Sequence, residues 1–252
     1  PVIDLHTHLF PPSHGELLLW GVDALLTYHY LVSEFFMVAP GAITHRSFFA
    51  FSREKQADLI WEHLFRRRSP ISEAQIGVLT TLRALGLREL VEKGELAPIR
   101  AWFRRQDAAA HAERVFQVSK VRFVVMTNIP FLESETRKWV RSPTSPIDLA
   151  SAAFADDDVL PQTYDRARFK TALRIDPILK GDWGTIRQCL VARGLPATLE
   201  GARAFIEAWA KVYSPEYLMA STPEHFGYHA TDPGPQGEGW LTATELIDEV
   251  MI

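Results

Sequence analysis

The residues best suited to chemistry lie at the start of the chain, in the segment Asp4-Leu-His6-Thr-His8. The surrounding run, Val2 to His8, has the composition of a short β-strand. Because residues two apart on a strand project from the same face, His6 and His8 can turn their imidazole rings toward one divalent cation. The pattern therefore predicts a metal site at the carboxyl end of a strand, with a surface pair of histidines as the alternative.

Strands and helices must alternate along the chain to position such a site. Strand character returns at Val121 to Met126, at Thr171 to Ile175 and at Tyr217 to Ser221. Between the last two strands, the sequence predicts one helix at Gly184 to Arg193 and a second that Thr198 caps. This alternation is typical of an α/β fold with parallel strands, although four strands are fewer than the roughly eight of a closed barrel.

The segment 15–117 has helical rather than strand periodicity. A helix is predicted at Lys55 to Phe65, and Glu73 to Leu85 repeats its spacing before Gly86. This is too much helix for one crossover between two strands. We therefore interpret 15–117 as a helical insertion within a single domain, 1–252.

The two ends suggest that this domain is a truncated one. The chain begins with Pro1 rather than Met, and Thr242 to Glu245 predicts the start of a helix without a stop signal before Ile252. We expect the remaining strands of a barrel beyond residue 252.

Composition excludes several classes of protein. Of the 252 residues, 47% are hydrophobic and 23% are charged, which is enough to bury a substantial core. The net charge of -4 argues against nucleic acid as a partner. The lone cysteine, Cys189, cannot form an internal disulfide, and the sequence indicates neither secretion nor membrane insertion. We expect a cytoplasmic location.

Five motifs, in conserved order along the chain, resemble the uronate isomerase branch of the amidohydrolase superfamily. That superfamily carries an HxH metal motif on its first barrel strand. The other four correspond to a His-Tyr pair, a Thr-Asp-Asp-Pro turn, an Arg-Pro-Asp strand end and an Ala-Ser-Asp-His segment, which here read His29-Tyr30, Thr127-Asn128-Ile129-Pro130, Arg174-Ile175-Asp176 and Ala220 to His225. Asn128 and Ile129 replace two acids, and the last motif contains an insertion.

The resemblance implies a fold and a reaction. The fold is the N-terminal portion of a (β/α)8 TIM barrel of the metal-dependent hydrolase type, with a helical insertion after the first strand. The reaction is the aldose-ketose isomerisation of a uronic acid. A small sugar acid would be the substrate, and a divalent metal ion, with zinc expected first, would be the cofactor.

The resemblance also implies roles for individual residues. His6 and His8 would hold the metal, and Arg174 would grip the substrate carboxylate through a bidentate fork. His29 and Tyr30 are candidates for proton handling or substrate hydrogen bonding. His225 would provide a further contact to the substrate.

Each of these residues also has an ordinary structural interpretation. His29 and Tyr30 lie in an aromatic-rich run where core packing is common. Arg174 can instead form a salt bridge with Asp176, and His225 can hydrogen-bond within its Pro- and Gly-rich loop.

Two other functions stay open at this point. One is a hydrolase or lyase of the same superfamily, although no lysine follows a predicted strand as that branch often requires. The other is an inactive barrel relative with a binding or assembly role. The loss of two acids from the Thr127–Pro130 turn is consistent with this alternative. The sequence does not decide whether the protein forms a homo-oligomer.

Overall fold

A computed structural model describes residues 2–221 of the chain. They form two compact units, one made of 2–17 together with 121–221, and the other of Leu18–Lys120. The interpretation of 15–117 as an insertion within one barrel domain stays a prediction. The helix expected from residue 242 and the candidate substrate contact His225 lie outside the described residues.

The first unit is built on a parallel sheet of four strands. In chain order, the strands of this unit are β1 (Val2–Thr7), β2 (Val121–Asn128), β3 (Ile147–Asp148), β4 (Ala153–Phe154), β5 (Phe169–Arg174) and β6 (Leu218–Met219). The sheet has the order β1-β2-β5-β6 with every pair parallel, while β3 and β4 form a separate antiparallel pair. The four predicted strands and the α/β class are confirmed.

The sheet is curled. Tyr217, just before β6, donates its hydroxyl hydrogen to the carbonyl oxygen of Leu5 in β1. These two strands are separated by β2 and β5 in the sheet order. A side chain bridges the outer strands of such a sheet when the sheet bends around it. The described strands therefore form part of a barrel wall, as the sequence predicted for a partial barrel.

The second unit is helical. Its helices are α1 (Gly21–Leu26), α2 (His29–Val38), α3 (His45–Ala50), α4 (Arg53–Ile60), α5 (Glu73–Ala84), α6 (Arg88–Lys93), α7 (Leu96–Arg104) and α8 (Ala108–Ser119). A π-helical segment, Trp61–Arg66, continues α4. The helices predicted at 55–65 and 73–85 are confirmed. Their apolar faces meet in a core whose most deeply buried members include Phe35, Phe48, Ile60, Leu82 and Ile99.

Helices also follow the strands of the first unit. They are a 3-10 segment (Pro12–Leu17), α9 (Glu133–Thr136), α10 (Asp176–Leu179), α11 (Trp183–Ala192) and α12 (Leu199–Tyr213). The side chain of Thr198 accepts a hydrogen bond from the Gly201 N–H, which confirms the predicted cap of α12. The core of this unit joins the sheet to α12 through Met126, Leu173, Phe205 and Trp209. Among the helices of the described chain, none is both long and apolar enough to traverse a bilayer.

The strand β1 differs from its neighbour in burial and regularity. The last five residues of β2, Val124 to Asn128, are buried, whereas Leu5 of β1 is 60% exposed. The register pairs Asp4 with Val124 and Thr7 with Met126, so three steps on β1 face two on β2. This is the geometry of a β-bulge, which re-aims the side chains beside it. The strict two-residue alternation predicted for the strand is interrupted between Asp4 and Thr7, a stretch that includes His6.

Candidate metal and substrate site

The two histidines of the first motif converge at the carboxyl end of β1. The Nε2 atoms of His6 and His8 lie 3.3 Å apart, and the rings are nearly perpendicular. Both residues are exposed, while Thr7 between them is buried. The side chain of Asp4 accepts a hydrogen bond of 3.1 Å from the His6 backbone N–H, which restrains the backbone next to the histidine pair.

This separation fits two ligands of one metal ion. Two nitrogen ligands about 2.05 Å from a tetrahedral zinc ion lie roughly 3.3 Å apart. Within residues 2–221, however, no cluster of three or more histidine, cysteine, aspartate or glutamate side chains is placed to hold a metal ion. The described part of the chain thus brings two imidazole nitrogens to a suitable separation, and the assignment of metal binding to His6 and His8 stays a prediction.

The strand β2 supports the histidine pair from the side. The Thr127 hydroxyl donates a 3.0 Å hydrogen bond to the carbonyl oxygen of Thr7, and both residues are buried. The Thr7 hydroxyl in turn accepts from the Leu9 N–H at 3.2 Å. Thr127 is the first residue of the motif that resembles a Thr-Asp-Asp-Pro turn, so this motif lies directly against the strand that carries the histidines.

The two residues that replace acids in this turn bond to a buried glutamate. The Asn128 Nδ2 donates to Glu135 Oε1 at 2.9 Å, and the Ile129 N–H donates to Glu135 Oε2 at 2.8 Å. Sequence reasoning missed Glu135. Its neighbours Ser134 and Thr136 are polar and it lies in a helix of only four residues, so the sequence carries no signal of its burial.

Arg174 forms a salt bridge with Asp176, which is the structural interpretation that the sequence left open beside substrate binding. Its Nε and Nη2 bond to the two carboxylate oxygens of Asp176 at 2.5 and 2.9 Å, and Nη2 also donates to Ser221 Oγ at 3.0 Å. Burial opposes ionisation of Asp176, but the hydrogen bonds from Arg174 and the Ser221 N–H lower its pKa overall. The Arg174 Nη1 makes no hydrogen bond to the described residues, whereas Nη2 already bonds to Asp176 and Ser221.

Tyr217 adds a group to the site that the motifs did not indicate. Its hydroxyl bonds to the Leu5 carbonyl, between Asp4 and His6 in the chain. Burial and the negative charge of Asp4 both raise the pKa of Tyr217, so its phenol is neutral at physiological pH.

His29 and Tyr30 belong to the other unit, where they begin α2. Their ring centroids are 4.1 Å apart, and Tyr28 lies 4.3 Å from His29. Both residues are exposed, with Tyr30 61% accessible. They therefore do not pack into the core of their unit, and their roles in catalysis and substrate binding stay predictions, as does that of His225.

The fold and the histidine pair define a class: part of a parallel β/α barrel with two convergent imidazoles at the end of its first strand. Among solved structures, the chain is similar to a uronate isomerase from Bacillus halodurans C-125, with 33% sequence identity and a TM-score of 0.76. The match covers 99% of this chain and 53% of that protein, so the chain spans about half its length. The resemblance predicted from the motifs is confirmed. No protein-family model and no curated protein matches the chain.

Proposed function

We propose that the protein is a metal-dependent isomerase that interconverts the aldose and ketose forms of a uronic acid of the glucuronate or galacturonate type. The observation that carries the proposal is the convergence of the His6 and His8 Nε2 atoms, 3.3 Å apart, at the end of the first barrel strand. Similarity to a uronate isomerase over 99% of the chain supports the choice of reaction.

The reaction sets three requirements. A proton must move between C2 and C1 of the sugar, so a base is needed near those carbons. The carbonyl and hydroxyl oxygens must be polarised as the proton moves. The carboxylate of the sugar needs a cationic partner, because burying an unpaired charge is costly.

We assign two of these requirements to residues of the first unit. His6 and His8 would hold a divalent ion, for which we propose zinc, and when bound the ion polarises the sugar oxygens. Arg174 would meet the carboxylate through Nη1, the nitrogen that Asp176 leaves unused. Because Asp176 occupies the other edge, the guanidinium is held in a fixed orientation.

The remaining requirement falls to the imidazole and phenol groups of the other motifs. We assign proton handling or substrate hydrogen bonding to His29 and Tyr30, whose exposed rings are accessible to a small molecule. We assign a further substrate contact to His225.

The test is isomerisation of D-glucuronate and D-galacturonate by the full chain, with metal content measured on the same samples. We expect turnover with bound metal in the wild type, and loss of both in the double variant His6→Ala/His8→Ala. The matched control is His45→Ala, because His45 is an exposed histidine of the helical unit that stacks on Phe36. The control should retain metal and turnover.

Two results would contradict the proposal. Bound metal without turnover of either sugar would point to another reaction, such as metal-assisted hydrolysis. Turnover that survives in His6→Ala/His8→Ala would remove the histidine pair from the mechanism.

A further inference from the structure

Glu135 is a buried carboxyl group whose hydrogen-bond partners among the described residues are Asn128, the last residue of β2, and Ile129, which follows it. It is 1% exposed, and its two oxygens accept from Asn128 Nδ2 and from the Ile129 N–H. No lysine, arginine or histidine of the described residues forms an ion pair with it. A carboxyl group so placed is costly to bury, so its position calls for a specific role.

The surroundings of Glu135 are mostly apolar. From α12, the buried phenol of Tyr213 faces it, and the two groups interact electrostatically. Burial raises the pKa of Glu135 to about 7, against the effect of its two hydrogen bonds. The two donors in the turn therefore offset part of the cost of burying this carboxyl group.

These two donors fix the turn rigidly. The Ile129 N–H and the Asn128 amide are attached to consecutive residues, so a single carboxyl group holds both a backbone and a side-chain position. Thr127, the preceding residue, bonds to the Thr7 carbonyl between His6 and His8. A continuous series of hydrogen bonds and covalent linkages thus connects Glu135 to the histidine pair.

We propose that Glu135 is a positioning residue for the metal site: it fixes the turn 127–130, and through Thr127 it holds β1 so that the imidazoles of His6 and His8 converge. This inference rests on the metal site of the proposed function. Groups behind the direct ligands orient them, and losing such a group commonly weakens metal binding about 10- to 100-fold.

The experiment is a titration of the metal-free full chain with Co²⁺, which reports ligand geometry through its visible absorption. We expect Glu135→Ala to raise the Co²⁺ dissociation constant about 10-fold and to change the spectrum. Glu135→Gln should restore most of the affinity, because its amide still accepts one hydrogen bond and Asn128 can reverse its own amide to provide the other. Glu133→Ala, on the exposed side of α9, is the matched control and should bind like the wild type.

A cycle with Thr127→Val tests the route. If Glu135 acts through Thr127, the double variant should bind Co²⁺ no more than a few-fold more weakly than the weaker single variant. Wild-type affinity and an unchanged spectrum in folded Glu135→Ala would overturn the inference, and so would wild-type protein that binds no Co²⁺. Where Glu135→Ala does not fold, the Thr127→Val titration decides, because the proposed route runs through Thr127: wild-type affinity and an unchanged spectrum in that variant would overturn the inference. Co²⁺ binding that responds as expected without uronate turnover would overturn the proposed reaction alone.

Discussion

The hydroxyl group of Thr127 and the carbonyl oxygen of Thr7 join the first two strands of the barrel wall at the point where both reach the candidate site, at a distance of 3.0 Å. Both residues are buried, at 2% and 7% exposure, so neither group has water as an alternative partner.

Replacing Thr127 with valine should therefore destabilise the protein. The change keeps the shape of the side chain but removes the donor to a buried carbonyl, at a cost of about 1–3 kcal/mol. Urea denaturation measures the loss. The matched control is Ser119→Ala, which removes a hydroxyl that bonds a backbone carbonyl at an exposed position. If both variants lose the same small amount, the buried bond contributes no more than an exposed one.

Glu135 should make stability depend on pH in the neutral range. Its pKa is raised from 4.5 to about 7 in the folded protein, so the folded state keeps a proton that the unfolded chain releases. The resulting stabilisation is complete below about pH 4.5 and is lost as the pH rises to about 7, with a size of ~3 kcal/mol. Glu135→Gln removes this dependence. Parallel stability curves for wild type and variant between pH 4.5 and 8 would contradict the prediction.

His14 should lower the stability of the protein as the pH falls, which is opposite to the effect of Glu135. It lies 2% exposed in the 3-10 segment, its ring against Phe10, Trp139 and Tyr164. Burial, with a smaller contribution from the positive charge of Lys138, lowers its pKa from 6.5 to about 4. The folded state therefore resists a proton that the unfolded chain accepts.

The stability that depends on neutral His14 is complete above about pH 6.5 and is lost as the pH falls to about 4, by up to ~3 kcal/mol. In His14→Gln the lost ring contacts lower stability equally at every pH, while the acid-dependent part disappears. Denaturation of both proteins at pH 4, 5, 6 and 7 separates the two effects. An equal loss of stability in both proteins from pH 7 to pH 4 would show that His14 is not the group that titrates.

Gly201 should not tolerate a side chain. A Cβ atom added there would lie 2.0 Å from the carbonyl oxygen of Pro196, which no rotamer change relieves. We expect Gly201→Ala to destabilise the protein by about 2 kcal/mol or more, despite the higher helix propensity of alanine. Gly184→Ala in α11 is the matched control, since its nearest atom would be the Asp182 carboxylate at 3.5 Å. Thermal unfolding of the two variants gives the comparison, and similar melting temperatures would contradict the expected clash.

The elements that the sequence predicts well are those with local signals. The apolar runs of β2 and β5, and the Thr198 cap of α12, were identified because their patterns depend on residues a few positions apart. Strand periodicity predicts that His6 and His8 lie on one face, but it does not predict the bulge between Asp4 and Thr7. The short pair of β3 and β4 carries too few residues for a recognisable pattern.

The features that the sequence does not predict depend on contacts between separate elements of the fold. Glu135 is buried because α12 and the turn after β2 close around it. The polar sequence of its own short helix gives no sign of these contacts. From the sequence, Arg174 could bind the substrate or pair with Asp176, and the folded structure shows the ion pair with Asp176. Tyr217 meets β1 because the sheet bends, which local propensity does not encode.

The strand β1 exposes aliphatic side chains in the part of the chain that the structure describes. There β1 pairs only with β2, and Val2, Ile3 and Leu5 are 55%, 45% and 60% exposed. An uncovered strand edge with aliphatic side chains invites strand addition, so we expect a further element to cover β1 in the folded protein. Asp4 and His6 interrupt this apolar run, and polar residues at such positions disfavour pairing with a foreign strand.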